Sequence, residues 1–259
     1  MSWITTALYC PGNKPAWFEK ALSGDADQVI LDLEDSVPTG EKPQALESIS
    51  EFLASLGSQD LMRVQIRVNG SREEIAALEP LAPSISIRLP KVEDPSQLEP
   101  WMEFRALVPL IESARGFQAL HEIGANSKVE MLAMGELDLE SELLTSDQQV
   151  MDYLRIQLVI ASAACSLRPP MMSAWTKLSD YEGLKIDCER GKSLGFVGRT
   201  AVHPSQLAVI AGVFGSVQFD QSQDQQRARL IEASGGVALD SEGNMLDAAS
   251  LRRRNSKEF

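Results

Sequence analysis

QVILDLEDSVP, residues 28–38, is the stretch that decides the fold. Its apolar run Val29-Ile30-Leu31 has no polar alternation, which is typical of a strand buried on both faces of a parallel sheet. Asp32, Glu34 and Asp35 follow at once. Because carboxylates buried without partners are costly, this strand must either emerge into solvent there or deliver its acids to a positive group.

Short apolar strands of this kind alternate with helical segments along the chain. Several of the helical segments begin with a capping box, for example Ser71 with Glu74 and Asp94 with Gln97. Eight β/α units without a Pro/Gly/Ser-rich linker, GxGxxG or GxxxxGK[ST] favour a (β/α)8 TIM barrel over a doubly wound α/β sheet. The predicted strands are Thr5–Pro11, Gln28–Asp35, Met62–Asn69, Ser84–Val92, Ala106–Glu112, Val129–Asp138, Pro170–Trp175 and Gly198–His203.

The barrel pattern predicts a catalytic domain over residues 1–215 and a short C-terminal extension over residues 216–259. The extension is too small and too polar to hold itself together, so we expect it to pack on the barrel or on a neighbouring subunit. Its apolar side chains must pack against another surface to be shielded from water. They are Val237, Leu239, Met245, Leu246 and Leu251.

The composition is that of an ordinary soluble protein, with 44% hydrophobic and 24% charged residues. A net charge of −13 argues against nucleic acid as a main partner, because phosphate binding needs a surplus of Lys and Arg. Three widely spaced cysteines indicate no disulfide framework and fit a reducing compartment. No secretory leader pattern and no membrane-length apolar stretch is found, so we expect a cytoplasmic protein without a membrane partner.

Polar side chains stand at the predicted carboxyl ends of most strands, where TIM-barrel enzymes place their active sites. Glu112 and Asp138 supply hard oxygen ligands suited to Mg²⁺, which takes its other ligands from water and substrate. The alternative for these acids is a rim salt bridge to Arg115 or Arg67. Arg67 offers a fork for a substrate carboxylate or an enolate oxygen, with Glu34 holding the guanidinium; its alternative is an ordinary rim ion pair.

The chain contains only two histidines, His121 and His203. A histidine-based zinc or iron site is therefore not expected. His203 lies before a proline and no GxSxG elbow is present, so we interpret it as structural rather than as part of a Ser-His-Asp triad.

The chain resembles the citrate lyase β-subunit-like branch of the HpcH/HpaI aldolase family over practically its whole length, from about Leu8 to about Arg254. Single pieces such as HPSQ are weak signals, but eight segments in the family's order are a strong one. The segments are LYCPGNKPAWFEKAL, ADQVILDLEDSVP, IRVNG, LPKVEDPSQL, LIESARGF, MLAMGELDLESEL, KSLGFVGRTAVHPSQLAVI and NMLDAASLRRR.

This resemblance implies a TIM barrel that binds Mg²⁺ and makes or breaks a carbon–carbon bond between an acyl-CoA and an α-keto acid. By position in the motifs, Glu112 and Asp138 are the implied metal ligands. Arg67 is implied to contact the keto acid, with Glu34 orienting it.

Lys14 lies where the family places a basic residue near the CoA or substrate entrance, and Asp35 joins Lys14 and Arg67 as a substrate-binding candidate. Asp247 matches an acid that some members bring from a neighbouring subunit, which implies a homo-oligomer, a trimer or hexamer. Its alternative is to cap a helix starting at Ala248.

One departure from the family affects the metal segment. Many members have FGAEDLAADLG where this chain has MGELDLESELL, so Leu137 replaces the glutamate before the metal aspartate and Glu136 appears two positions before it. This leaves the substrate open, with citryl-CoA or malyl-CoA as examples.

Two other functions remain open at this point. The first is a CoA-independent class II pyruvate-type aldolase, which the absence of histidine in the first 120 residues argues against. The second is a non-catalytic binding subunit that retained the fold, which the presence of Glu112, Asp138 and Arg67 argues against.

Overall fold

The structure is a computed structural model that describes residues 4–215, 228–239, 243 and 245–247. The chain divides into two compact units, with the boundary after Ser216. The first unit contains eight parallel strands in which each of β1 to β6 pairs with its sequence neighbour, β7 pairs with β8, and β8 returns to β1. The strands are β1 Thr6–Pro11, β2 Gln28–Asp32, β3 Val64–Arg67, β4 Ser86–Leu89, β5 Ala106–Ile111, β6 Ala133–Met134, β7 Met171–Met172 and β8 Gly198–Ala201.

Helices separate these strands, and the predicted TIM-barrel fold with its eight strands is confirmed. Both capping boxes are present, but the one at Asp94 opens a 3-10 helix, Pro95–Trp101, because two prolines in that segment remove backbone donors. The α-helices of the first unit are α1 Phe18–Leu22, α2 Lys42–Ala54, α3 Ser58–Leu61, α4 Arg72–Leu78, α5 Ala114–Gln118, α6 Leu120–Gly124, α7 Glu136–Glu142, α8 Gln148–Ala164, α9 Tyr181–Leu194 and α10 Leu207–Phe214.

The predicted sixth strand, Val129–Asp138, was wrong at its carboxyl end. β6 stops at Met134 and α7 begins at Glu136, so Asp138 lies in the first turn of a helix rather than at a strand end. The segment ELDLESE is rich in residues with high helix propensity, and acids are favoured in a first helical turn. Leu139 is its buried anchor.

The barrel is nearly closed, because β6 and β7 form no ladder with each other. Two hydrogen bonds cross this seam: Arg168 N–H donates to Glu130 O at 3.0 Å, and Ser173 Oγ donates to Met134 O at 2.8 Å. Met134, two residues before the start of α7, is thus bonded to Ser173, the residue after β7.

The main core lies between strands and helices, while a smaller apolar cluster fills part of the barrel interior. The interior near β2 to β4 is polar instead. Gln65 Nε2 donates to Gln28 Oε1 at 3.0 Å, and the buried Arg88 Nε donates to Gln65 Oε1 at 3.2 Å. These buried polar groups are therefore mostly paired, as burial requires.

The second unit contains a helical segment over residues 228–233 and an antiparallel hairpin of β9 Val237–Leu239 and β10 Met245–Asp247. Ile231, Ala238 and Leu246 form its small apolar cluster. Val237, Leu239 and Met245 are more than half exposed. The predicted cover for these side chains stays a prediction, and Leu251 and the helix expected at Ala248 lie outside the described residues.

None of the helices in the described part of the chain has both the length and the apolar character needed to span a bilayer. The cytoplasmic location stays a prediction.

Candidate active site

Arg67, the last residue of β3, forms a two-pronged ion pair with Asp32, the last residue of β2. Arg67 Nε lies 2.7 Å from Asp32 Oδ1, and Nη2 lies 2.8 Å from Oδ2. The two residues are register partners on adjacent parallel strands. Neighbouring side chains in register point to the same face of a sheet, which explains why they meet. Asp32 therefore holds two nitrogens of the Arg67 guanidinium, and Glu34, the partner predicted from the sequence, contacts the third.

Glu34 and Asp35 contact the remaining arm of the guanidinium. Arg67 Nη1 lies 2.7 Å from Glu34 Oε2 and 3.2 Å from Asp35 Oδ2. The first contact is an ion pair without a hydrogen bond, so the buried Glu34 Oε2 has no hydrogen-bond donor among the described residues. The guanidinium also lies 5.0 Å above the Tyr9 ring, a cation–π contact. Arg67 is thus fixed from several sides.

Glu112 follows β5 and is only 7% exposed. Its Oε2 accepts the backbone N–H of Lys91 at 2.8 Å, and Lys91 has a positive φ of 54°. A non-glycine residue in this region is strained, and such strain often marks functional sites. Gly135 makes room on the other side, because a Cβ built there would lie 2.3 Å from Glu112 Oε1. The carboxylate is therefore held in one place.

Several charges share this rim. Lys91 Nζ lies 3.6 Å from Glu34 Oε1, and it also interacts electrostatically with Asp138 and Glu112. Asp138 is exposed in the first turn of α7. Five carboxylates thus share this rim with two positively charged side chains, Arg67 and Lys91. The carboxylates belong to Asp32, Glu34, Asp35, Glu112 and Asp138.

The surplus of negative charge changes the protonation of the site. Burial, with repulsion from Glu34 and Asp138, raises the pKa of Glu112 to about 7. Burial also raises the pKa of Glu34. Burial acts on Asp32 in the same direction, but the hydrogen bonds and charge of Arg67 hold the pKa of Asp32 below its usual range. The negative charge of Asp32 is compensated, whereas that of Glu112 is not.

This donor set fits a hard divalent cation. No group of three or more His, Cys, Asp or Glu side chains is arranged to hold a metal among the described residues. Two carboxylates, Glu112 and Asp138, suffice for Mg²⁺, which keeps several waters and completes its octahedron with substrate oxygens. The close packing of Glu112 against Gly135, which fixes the carboxylate, and the raised pKa of Glu112 agree with that role.

The alternative partners expected from the sequence do not pair with these acids. Arg115 lies 3.9 Å from Glu93 instead. Within the described residues, neither Glu112 nor Asp138 forms a salt bridge. His203 caps the 3-10 helix Pro204–Gln206, where Nδ1 accepts the Ser205 N–H at 3.2 Å, which confirms its structural interpretation.

The other candidates lie at different places. Lys14 is exposed in the loop after β1, with no side-chain partner among the described residues. Asp247 is the last residue of β10 in the second unit, and its side chain lies outside the described residues. The structure brings together Arg67, Glu34, Asp35, Glu112 and Asp138.

Four features of this site were missed from the sequence. Asp32 had a sequence signal, since it directly follows the apolar run of a predicted strand, but its pairing with the Arg67 fork depends on strand register. The Lys91 N–H and the space at Gly135 had no sequence signal strong enough to assign. The partner of Glu136 was also missed: it is Arg155, which interrupts an apolar stripe of α8 that contains Met151 and Leu158. That interruption was the available signal.

Comparison with known proteins gives concordant matches in sequence and structure. The family model described as HpcH/HpaI aldolase/citrate lyase matches residues 5–204. A (3S)-malyl-CoA thioesterase of Cereibacter sphaeroides is 33% identical over 81% of this chain and 76% of its own. An L-malyl-CoA/beta-methylmalyl-CoA lyase of Rhodobacter capsulatus is 26% identical over 95% of this chain and 91% of its own.

Two solved structures share the fold. CitE from Mycobacterium tuberculosis in complex with magnesium, acetoacetate and coenzyme A has a TM-score of 0.77 and 27% identity, over 96% of this chain and 94% of that one. The citrate lyase beta subunit from the same organism, complexed with oxaloacetate and magnesium, has a TM-score of 0.70 and 28% identity, over 81% and 96%. Magnesium is therefore bound in structures of relatives of this chain.

Proposed function

This chain belongs to the HpcH/HpaI aldolase/citrate lyase family, and from that premise we propose that it cleaves, or forms, a β-hydroxyacyl-CoA such as malyl-CoA or citryl-CoA. The products of cleavage are an acyl-CoA and an α-keto acid, glyoxylate or oxaloacetate. The chain is an enzyme of the carbon–carbon lyase type. Glu112 and Asp138 hold Mg²⁺ in this proposal.

The observation that carries the proposal is the uncompensated carboxylate of Glu112 beside a fixed guanidinium. Glu112 is held by the Lys91 N–H, and Arg67 lies on the same rim as the charged groups of Glu34 and Lys91. Burial raises the pKa of Glu112 and repulsion from Glu34 and Asp138 adds to it, so a cation at Glu112 would offset that repulsion. When bound, Mg²⁺ supplies a Lewis acid for the oxygens of the keto acid.

Arg67 has hydrogen-bond donating capacity left for an anionic ligand. A guanidinium has five N–H groups, and three of those of Arg67 are taken by Asp32 and Asp35. Glu34 Oε2 lies 2.7 Å from Nη1, so the donor left for a substrate carboxylate or a developing oxyanion is the second N–H of Nη2. Since the guanidinium is already fixed by Asp32 and Tyr9, it needs little reorganisation to stabilise that charge.

Lys14 in the loop after β1 is proposed to contact the CoA moiety, and Asp247 of a neighbouring copy is proposed to act as an acid over the thioester. A homo-oligomer follows from the second proposal. Mixing an Asp247→Asn variant with an Arg67→Ala variant tests it. Partial recovery of activity in mixed oligomers supports a shared site, and no recovery in oligomers that demonstrably mix contradicts it.

Thioester hydrolysis is a second candidate activity, because a relative at 33% identity is a (3S)-malyl-CoA thioesterase. The two activities release different products from one substrate. A lyase converts malyl-CoA to acetyl-CoA and glyoxylate, whereas a thioesterase releases free CoA and malate.

One assay separates these functions and the remaining alternatives. Malyl-CoA and citryl-CoA are incubated with the full chain in Mg²⁺ or in EDTA, and keto acid and free thiol are measured in parallel. We expect Mg²⁺-dependent keto acid, lost in Glu112→Gln. Free thiol without keto acid identifies a thioesterase. In a separate incubation without CoA, turnover of hydroxy-keto acids identifies an aldolase, and no turnover of any of these substrates contradicts catalysis.

A further inference from the structure

Glu136, in the first turn of α7 and two residues before Asp138, is clamped by a buried arginine of α8. Arg155 Nε donates to Glu136 Oε1 at 3.0 Å, and Nη2 donates to Oε2 at 2.7 Å. Two parallel hydrogen bonds between a guanidinium and a carboxylate fix both position and orientation. The pair therefore ties the turn that bears Asp138 to the long helix α8.

Arg155 is part of a larger charged cluster. Its Nη1 lies 3.2 Å from Asp152 and 3.3 Å from Asp187, although the side chain is only 4% exposed. Asp187 also pairs with the buried Arg199 at 2.6 Å, and Asp152 pairs with Arg190 at the exposed edge. Three arginines thus balance three acids in a cluster that joins α7, α8, α9 and β8.

Stability alone is a weak reason for such a cluster. Replacing buried ion pairs by apolar residues of similar volume is often neutral or stabilising, because the charges lose their hydration. A buried charged cluster can instead hold a neighbouring side chain in one orientation.

α7 has few other contacts that fix its first turn. Gly135 at its N-cap has no side chain to cap the helix, and Leu139 is its one buried residue. Leu137, between Glu136 and Asp138, is 64% exposed. Among the described residues, the bidentate pair with Arg155 is the side-chain hydrogen bonding that restrains Glu136 to Asp138.

We propose that Arg155 is a positioning residue that, through Glu136, holds Asp138 in place for the divalent cation. This inference rests on the proposed function, in which Asp138 and Glu112 bind Mg²⁺. It assigns a role to a residue that does not touch the cation or the substrate. Partners of metal ligands typically alter metal affinity by about 10- to 100-fold when removed.

The test is isothermal titration of Mg²⁺ into the full chain and four variants, at a temperature well below the unfolding midpoint of each. Glu136→Gln removes the charge of the clamp with little change in volume. Arg155→Met removes the fork, and Arg155→Lys restores the charge without it. Arg190→Ala is the matched control, because it breaks an ion pair of the same cluster without touching Glu136.

We expect the Kd for Mg²⁺ to rise about 10-fold or more in Glu136→Gln and Arg155→Met, and less in Arg155→Lys. Arg190→Ala should bind Mg²⁺ as the unmodified chain does. If Arg155→Met fails to fold, Glu136→Gln decides. A folded Glu136→Gln variant with unchanged Kd, or an equal loss in Arg190→Ala, overturns the inference and leaves the proposed function standing. An unmodified chain that binds no Mg²⁺ overturns both.

Discussion

Replacing Gly135 by alanine tests whether the location of Glu112 matters for cation binding. A Cβ at this position would lie 2.3 Å from Glu112 Oε1, 2.6 Å from Cγ and 2.8 Å from Cδ, whereas ordinary contacts start at 3.4 Å. Oε1 must therefore retreat by about 1.1 Å. Rotation of the carboxylate alone does not relieve the contact with Cγ, so the whole Glu112 side chain has to leave its present position.

A displacement of about 1 Å at a functional group can cost about 100-fold, so we expect Gly135→Ala to weaken Mg²⁺ binding by about 10- to 100-fold. Forcing one methyl group into a packed site should also lower the free energy of unfolding by about 1–3 kcal/mol. Gly135 has a φ of −100°, so alanine adds no backbone strain. The effect is therefore steric.

Titration calorimetry with Mg²⁺ and urea denaturation measure the two effects. Gly40→Ala is the control, since nothing lies within 4 Å of a Cβ built there. A folded Gly135→Ala variant with the Mg²⁺ affinity of Gly40→Ala would refute the reasoning, because it would show that Glu112 does not need its present position.

Three further predictions concern the same rim. Arg67→Lys keeps the positive charge but leaves one carboxylate oxygen of Asp32 without its hydrogen-bond donor. Urea denaturation should therefore show a free energy of unfolding lower by about 1–3 kcal/mol, and keto-acid binding should weaken. Unchanged keto-acid binding would show that Arg67 forms an ion pair at the rim without contacting the substrate. In EDTA, the pKa of Glu112 is raised from 4.5 to about 7 in the folded state. The folded state therefore keeps the Glu112 proton up to a higher pH than the unfolded state does. The stabilisation that comes from this proton is then fully present below about pH 4.5 and is lost as pH rises to about 7, by about 1.4 kcal/mol per pH unit. If the difference in free energy of unfolding between the unmodified chain and Glu112→Gln stays constant over this range, the prediction is contradicted. Lys91 has a φ of 54°, a conformation that glycine adopts without strain. Lys91→Gly should therefore be more stable than Lys91→Ala by about 1 kcal/mol in thermal denaturation. The reverse order would show that the positive φ carries no strain.

The number and order of the barrel strands were predictable because buried parallel strands carry continuous apolar runs. Val29-Ile30-Leu31 of β2 is such a run, and it pairs with β3 in the expected order. The end of β6 was not predictable in the same way. MLAMGELDLE contains both a strand pattern and a helix pattern, and the packing of Leu139 and the clamp on Glu136 favour the helix from Glu136 onward.

By itself, the sequence determined the (β/α)8 class and the identities of the rim acids and of Arg67, since periodicity and strand-end chemistry depend on local order along the chain. The tertiary structure decided how those groups pair. Asp32 takes the Arg67 fork because register places the two side by side, and Glu112 is held by a backbone N–H of a residue 21 positions away. Such pairings depend on distances between segments remote in sequence, and a one-dimensional pattern does not contain those distances.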